Sequence, residues 1–89
     1  MLHHRFKLIY VENGNDHPCI ATIDVIRFEA PSIYASWSVQ TVEGAAVAAK
    51  SRSYLVGENL PEDSKLIRII KDDLRKYRIG RSRAFKDLE

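Results

Sequence analysis

Four side chains of metal-binding type fall near the start of the chain: His3, His4, His17 and Cys19. A zinc ion needs its ligands within ~2.3 Å. Asn13-Gly14, between two strand-like segments, predicts a hairpin. That places His17 and Cys19 at its turn end and His3 and His4 at the far end of the first strand. At ~3.3 Å per residue the two pairs stand about 30 Å apart. The expected state is therefore exposed histidines, and only a site shared between chains would gather them. Asp24 lies in TIDVI, where a carboxylate among β-branched neighbours must be paired or wet. A magnesium-dependent nuclease needs several acids together. Asp72 and Asp73 are the candidates, but nothing in the spacing fixes their distance to Asp24. The competing expectation is that Asp24 faces solvent or pairs with Arg27, Lys7 or a cation of another strand. No serine sits in a GxSxG elbow, and the 4 glycines form no phosphate loop. The sequence predicts no catalytic residue, no metal and no cofactor, with an enzyme kept as the third reading.

The remaining chemistry is cationic. Arg68, Lys71, Arg75 and Arg78 recur at helical spacing, and Lys65, Arg81, Arg83 and Lys86 extend the run. Lys50 and Arg52 are positioned to join it from a strand. One-sided clustering of this kind suits phosphate contacts. The net charge of +2 conceals an asymmetry: residues 1–64 carry −3, residues 65–86 carry +7 and residues 87–89 carry −2. Concentrated positive charge implies a polyanion or an acidic protein surface as partner. The competing reading is a solvated helix face followed by a basic end.

The helix that must position these cations is PEDSKLIRIIKDDLRKYR, Pro61 to Arg78. Leu66, Ile67, Ile70, Leu74 and Tyr77 make one apolar stripe at 100° per residue. Pro61 suits a first turn, Glu62 and Asp63 favour the positive end of the helix dipole, and Asn59 is a candidate cap. Gly80, after Arg75, Lys76 and Arg78, is the stop signal. A lone helix of this length is marginal in water, so the rest of the chain must supply the surface it docks on.

That surface reads as strands. In Arg5 to Glu12, Phe6, Leu8 and Tyr10 share one face. Asn13 to Pro18 is dense in turn residues. In Cys19 to Ala30, Ala21, Ile23 and Val25 alternate with Ile20, Thr22, Ile26 and Phe28. Both faces are apolar, so this strand belongs mid-sheet, and Pro31 stops it. In Ile33 to Val42, Trp37, Val39 and Thr41 oppose Ser36, Ser38 and Gln40. Residues 45–56 divide the signals. AAVAAK favours helix by composition, whereas alternation favours a strand from about Ala48 to Val56 after a turn near Glu43–Gly44. The pattern carries more weight; the alternative is three strands and a helical hairpin. Residues 81–89 lack apolar periodicity and are expected to fray as a basic tail behind a single domain spanning residues 1–80. The predicted fold is α+β: an antiparallel meander of three to four strands packed by one C-terminal amphipathic helix.

Ile9 to Gly14, IYVENG, resembles the first short motif of the RNA recognition motif family, whose first-strand aromatic stacks a base. The resemblance covers six residues, ends on Gly14 where that family has an apolar residue, and lacks the second motif and the following helix. Tyr10 is accordingly assigned to the core.

A 45% hydrophobic and 29% charged composition belongs to a folded domain, which excludes wholesale disorder. No apolar run approaches the ~20 residues of a membrane span. A single cysteine excludes an internal disulfide, and no signal-peptide core stands at the N-terminus. The expected compartment is cytoplasm, or host cytosol for a viral chain. Two functions from different classes follow. One is a small non-enzymatic nucleic-acid-binding domain that lays its cationic helix on the phosphate backbone. The other is a protein-interaction or assembly module: an accessory subunit of phage or plasmid type, an inhibitor, or a homo-oligomer paired through strand edges.

Overall fold

The computed structural model describes residues 1–77 and 83–86. Its elements are β1 (Leu2–Glu12), β2 (Asn15–Glu29), β3 (Ser32–Thr41), β4 (Ala46–Leu55), α1 (Asp63–Lys76) and β5 (Arg83–Lys86). The strands form one antiparallel sheet in the order β4-β3-β2-β1-β5. The fold is α+β, and β2 lies in the middle of the sheet, where its two apolar faces belong.

Alternation decides what is buried. Phe6, Leu8 and Tyr10 of β1, Ala21, Ile23 and Val25 of β2, and Trp37 and Val39 of β3 all face inward. Leu66, Ile70 and Leu74, one helical turn apart, belong to the same buried cluster, each contributing about 1.5–3 kcal/mol before entropy. Ile67, Ile69 and Tyr77 flank this row and are half-buried.

The first turn is tighter than the sequence suggests. Glu12 pairs with Asn15, so only Asn13 and Gly14 lie outside the ladder. Both have positive φ, 51° and 80°, as a turn matched to the twist of a hairpin requires. Asn15 to Pro18, read as turn, is strand. A bulge at Ile26 shifts the β2–β3 register between Val25 and Arg27 and leaves Ile26 59% exposed.

Residues 45–56 settle as strand over Ala46–Leu55; alternation prevails over alanine propensity because β3 is there to pair with. The helix begins at Asp63. Its N-cap is Glu62, which makes no side-chain capping bond; Asn59 lies upstream of Pro61, too far to cap. Gly80 falls outside the described residues.

The strand count corrects the expectation of three to four, and so does the tail. Arg83–Lys86 is not frayed: it pairs with Ile9–Glu12 as the fifth strand. Four residues are too few to show a period. Phe85 decides the matter, with ring centroids 6.0 Å from Tyr10 and 6.3 Å from both Trp37 and Tyr77. Residues 81–82 and 87–89 lie outside the described set.

Candidate functional site

The expected cationic surface separates into groups with different surroundings. Lys65 and Arg68 are exposed on α1. Lys71 reaches back toward β1, its Nζ 4.4 Å from the centre of the Phe6 ring, a cation–π distance. Arg75 meets Asp72, one turn earlier, at 2.9 Å. Both of those side chains are about half exposed, so the pair is worth ~1 kcal/mol at most and opens readily. Arg83 lies 3.5 Å from Glu12, and Lys86 of β5 reaches across β1 to Asp16 of β2, at 3.0 Å. Arg78 and Arg81 fall outside the described residues.

Lys50 and Arg52 are held differently. Their side chains emerge from β4 on the same side as buried Tyr54, and both turn to Asp73 of α1, at 3.8 Å and 3.2 Å. Asp73 also accepts hydrogen bonds from the Tyr54 hydroxyl at 2.7 Å and from Trp37 Nε1 at 3.3 Å. One carboxylate thus collects two neutral donors from β3 and β4 and two cations from β4. Burial alone would push the Asp73 carboxyl up; the Tyr54 and Trp37 hydrogen bonds and the charges of Lys50 and Arg52 outweigh it and hold the pKa below the ordinary value. Tyr54 moves the opposite way: burial, then its bond to the Asp73 carboxylate, raises its hydroxyl well into the alkaline range. The sequence places Asp73 at the apolar edge of α1 but does not reveal this role. The available signal was an acid one turn after Ile69 and Ile70 in a chain whose strands carry one Trp and a late Tyr.

The suspected metal and acid clusters do not assemble. His3 pairs with Asp24 directly across the β1–β2 ladder, Nδ1 to Oδ1 at 2.5 Å. Arg27, one of the partners considered for Asp24, binds Glu29 at 2.8 Å and lies over the Tyr34 ring. Asp24 projects from the outer face of the sheet, opposite to the buried Ile23 and Val25, whereas Asp73 bonds to inner-face residues. His17 stands beside Tyr10 at the turn end of the hairpin. Among the described residues no three His, Cys, Asp or Glu side chains gather to hold a metal.

Cys19 is buried, and its Sγ–H donates to the His17 carbonyl at 3.4 Å. Burial pushes the thiol up, the reverse of what a nucleophilic cysteine requires. Tyr10 is likewise raised, by burial and then by its hydrogen bond to Glu12. It is core, as assigned, and not a base-stacking platform. The shifted groups thus move away from neutrality, where an acid–base catalyst would be tuned.

Two further features lie on the surface. A groove of about 380 Å³ runs along Ile9, Pro18, Ile20 and Val42 on the outer face. At the other side of the sheet, β4 ends the strand order, and among the described residues no strand covers its edge. No helix among the described residues is long and apolar enough to cross a membrane. Comparison of the chain with protein-family models, with curated proteins and with solved structures gave no match.

Proposed function

We propose that this protein is a non-enzymatic binding module in which α1 covers the inner face of the sheet and offers its other side to a nucleic-acid phosphate backbone. The observation that carries the reading is the division of α1 itself. Leu66, Ile70 and Leu74 are buried, while Lys65, Arg68 and Arg75 stay on the surface. Lys50 and Arg52 stand apart from this phosphate-binding face: they lie on β4, not on α1, and share the carboxylate of Asp73, which offsets one of their two charges. Arg75 stays in it, since exchanging a half-exposed carboxylate for a phosphate costs little.

Three contacts from Arg68, Lys71 and Arg75 give a log–log salt slope of about −2.7. Affinity then falls about 40-fold between about 50 and about 200 mM salt. Phosphate contacts carry no sequence information, so duplexes of arbitrary sequence should bind alike, and single strands with a shallower salt slope. A fluorescence titration on generic DNA and RNA measures this. Absence of binding at low salt refutes the reading, as does unchanged binding by Arg68→Ala, Lys71→Ala, Arg75→Ala with its fold intact.

The second reading is an interaction module that pairs through a strand edge. The open side of β4 favours it specifically: the strand is ten residues long and last in the sheet.

A further inference from the structure

We infer that β4 is a docking edge for an extended, acidic segment of a partner protein, which adds to the sheet as a sixth strand. The inference rests on the second reading above and names the partner's chemistry.

The register fixes which backbone groups are available. Ser32 lies opposite Leu55, and the Val56 N–H donates to the Pro31 carbonyl at 2.8 Å. In an antiparallel ladder this makes Ser32–Leu55 a non-hydrogen-bonded pair. Alternation then turns the N–H and C=O groups of Leu55, Ser53, Ser51 and Ala49 away from β3. All four residues are exposed, and no backbone hydrogen bond from the described residues reaches them. Proteins ordinarily blunt such an edge with lysines and other charges, proline, a bulge, a short strand or a covering segment; β4 carries Lys50 and Arg52 and one bulge at Val47, near its start. From Ala48 to Leu55 the ladder is regular and contains no proline. The opposite edge strand, β5, has only four residues.

The side chains select the guest. On the inner side Lys50 and Arg52 flank the edge, 37% and 46% exposed. Asp73 neutralises one charge, and one positive charge remains. On the outer side Ala49, Ser51 and Ser53 are small. Beside them opens a depression of about 410 Å³ lined by Ile26, Arg27, Tyr34, Ser51 and Ser53 among others, with Arg27 lying over the Tyr34 ring. Ile26 is pushed outward there by the β2 bulge, and Leu55, 77% exposed, ends the row. A guest strand meeting both sides alternates a carboxylate facing Lys50 and Arg52 with a branched or aromatic residue over the depression.

A second copy fits poorly. Two β4 edges must pair through their odd-numbered residues. The two registers of greatest overlap then set Lys50 against Lys50, or Lys50 against Arg52, across the two-fold axis. Like charges directly opposite destabilise a ladder.

The test uses the intact protein and a labelled peptide of about eight residues, the usual strand length, alternating Glu with Val and Tyr. A counterpart carries Lys in place of Glu. Anisotropy should show the Glu peptide binding and the Lys peptide at least tenfold weaker. Binding should slow amide hydrogen exchange at Ala49, Ser51 and Ser53, while the amides of Lys50 and Arg52 are already protected in the free protein. Ser51→Pro should abolish binding, since an edge strand tolerates a proline whose N–H position faces solvent. No binding, equal binding of both peptides, or binding without protection at those amides overturns the inference. A dimer seen by sedimentation and lost in Ser51→Pro, with no peptide binding, overturns the acidic partner but leaves the edge reading standing. Absence of both a dimer and peptide binding removes the edge reading as well.

Discussion

Replacing Asp73 with Asn is the sharpest test of how α1 is held to the strands. The amide has the shape of the carboxylate but no charge, and only one of its two polar atoms accepts hydrogen bonds. Tyr54, at 2.7 Å, keeps a neutral acceptor in place of a charged one, a loss of about 1 kcal/mol. Trp37 Nε1, at 3.3 Å and almost fully buried, already shares that oxygen with Tyr54 and likewise exchanges a charged acceptor for a neutral one; that costs about 1 kcal/mol more. Lys50 and Arg52 lose their counter-ion, but both are over a third exposed, so this adds less than about 1 kcal/mol. The expected loss is about 2–3 kcal/mol. For a domain of this size that corresponds to a melting point roughly 10–20 °C lower. Circular dichroism reads the melt, and the fluorescence of Trp37, the single tryptophan, reads the local environment. The pH dependence supplies an independent check. Asp73 has a depressed pKa in the folded state. Its contribution is therefore present above the ordinary carboxylate pKa of about 4 and disappears as the pH falls through the folded value. The gap between wild type and Asp73→Asn should be full at neutral pH and close under acid. A melting point within about 3 °C of wild type at neutral pH refutes the reasoning. So does a gap that persists unchanged into strong acid.

Two further outcomes follow from the packing. Phe85→Ala should cost about 3–5 kcal/mol in urea denaturation, because Phe85 is buried against Tyr10, Trp37 and Tyr77; a change below about 1 kcal/mol would return residues 83–86 to the status of a loose tail. Gly14→Ala should cost about 1–2 kcal/mol, since a Cβ at φ +80° is strained although open space surrounds it; unchanged stability would mean that the hairpin turn relaxes to another type.

Much of the sheet is legible because its signals are local. Phe6, Leu8 and Tyr10 alternate with Lys7 and Ile9, and Asn13-Gly14 announces its own turn. Cys19 to Ala30 is apolar on both faces and falls in the middle of the sheet. The illegible parts depend on partners distant in sequence. Arg83–Lys86 shows no period and becomes a strand because Phe85 finds an aromatic cluster. Lys50 and Arg52 appear polar and outward, yet lie on the inner side because Asp73 waits there. His3 and Asp24, 21 residues apart, pair only through the hairpin register. The ridge on α1 is legible as a pattern. Which cations of the basic run meet carboxylates is not, since Arg75 of α1 meets Asp72 locally whereas Arg83 of β5 meets Glu12 across 71 residues.

The two cations of β4 carry opposite consequences within one placement. Facing α1, they lower the free energy of a half-buried carboxylate that would otherwise be costly, and so help hold Asp73 between Trp37 and Tyr54. Facing the open edge, they put positive charge beside unpaired backbone groups, which works against pairing with another β4. Neutral residues at these positions would weaken the first effect and remove the second together. A chain with an open edge along Ala48–Leu55 and small outer side chains there gains protection from self-pairing through residues its helix contact already requires. If β4 is the docking edge inferred above, the same charge favours an acidic strand as guest, and the contact to α1 and the choice of partner then follow from one alternation of Lys, Ser, Arg and Ser.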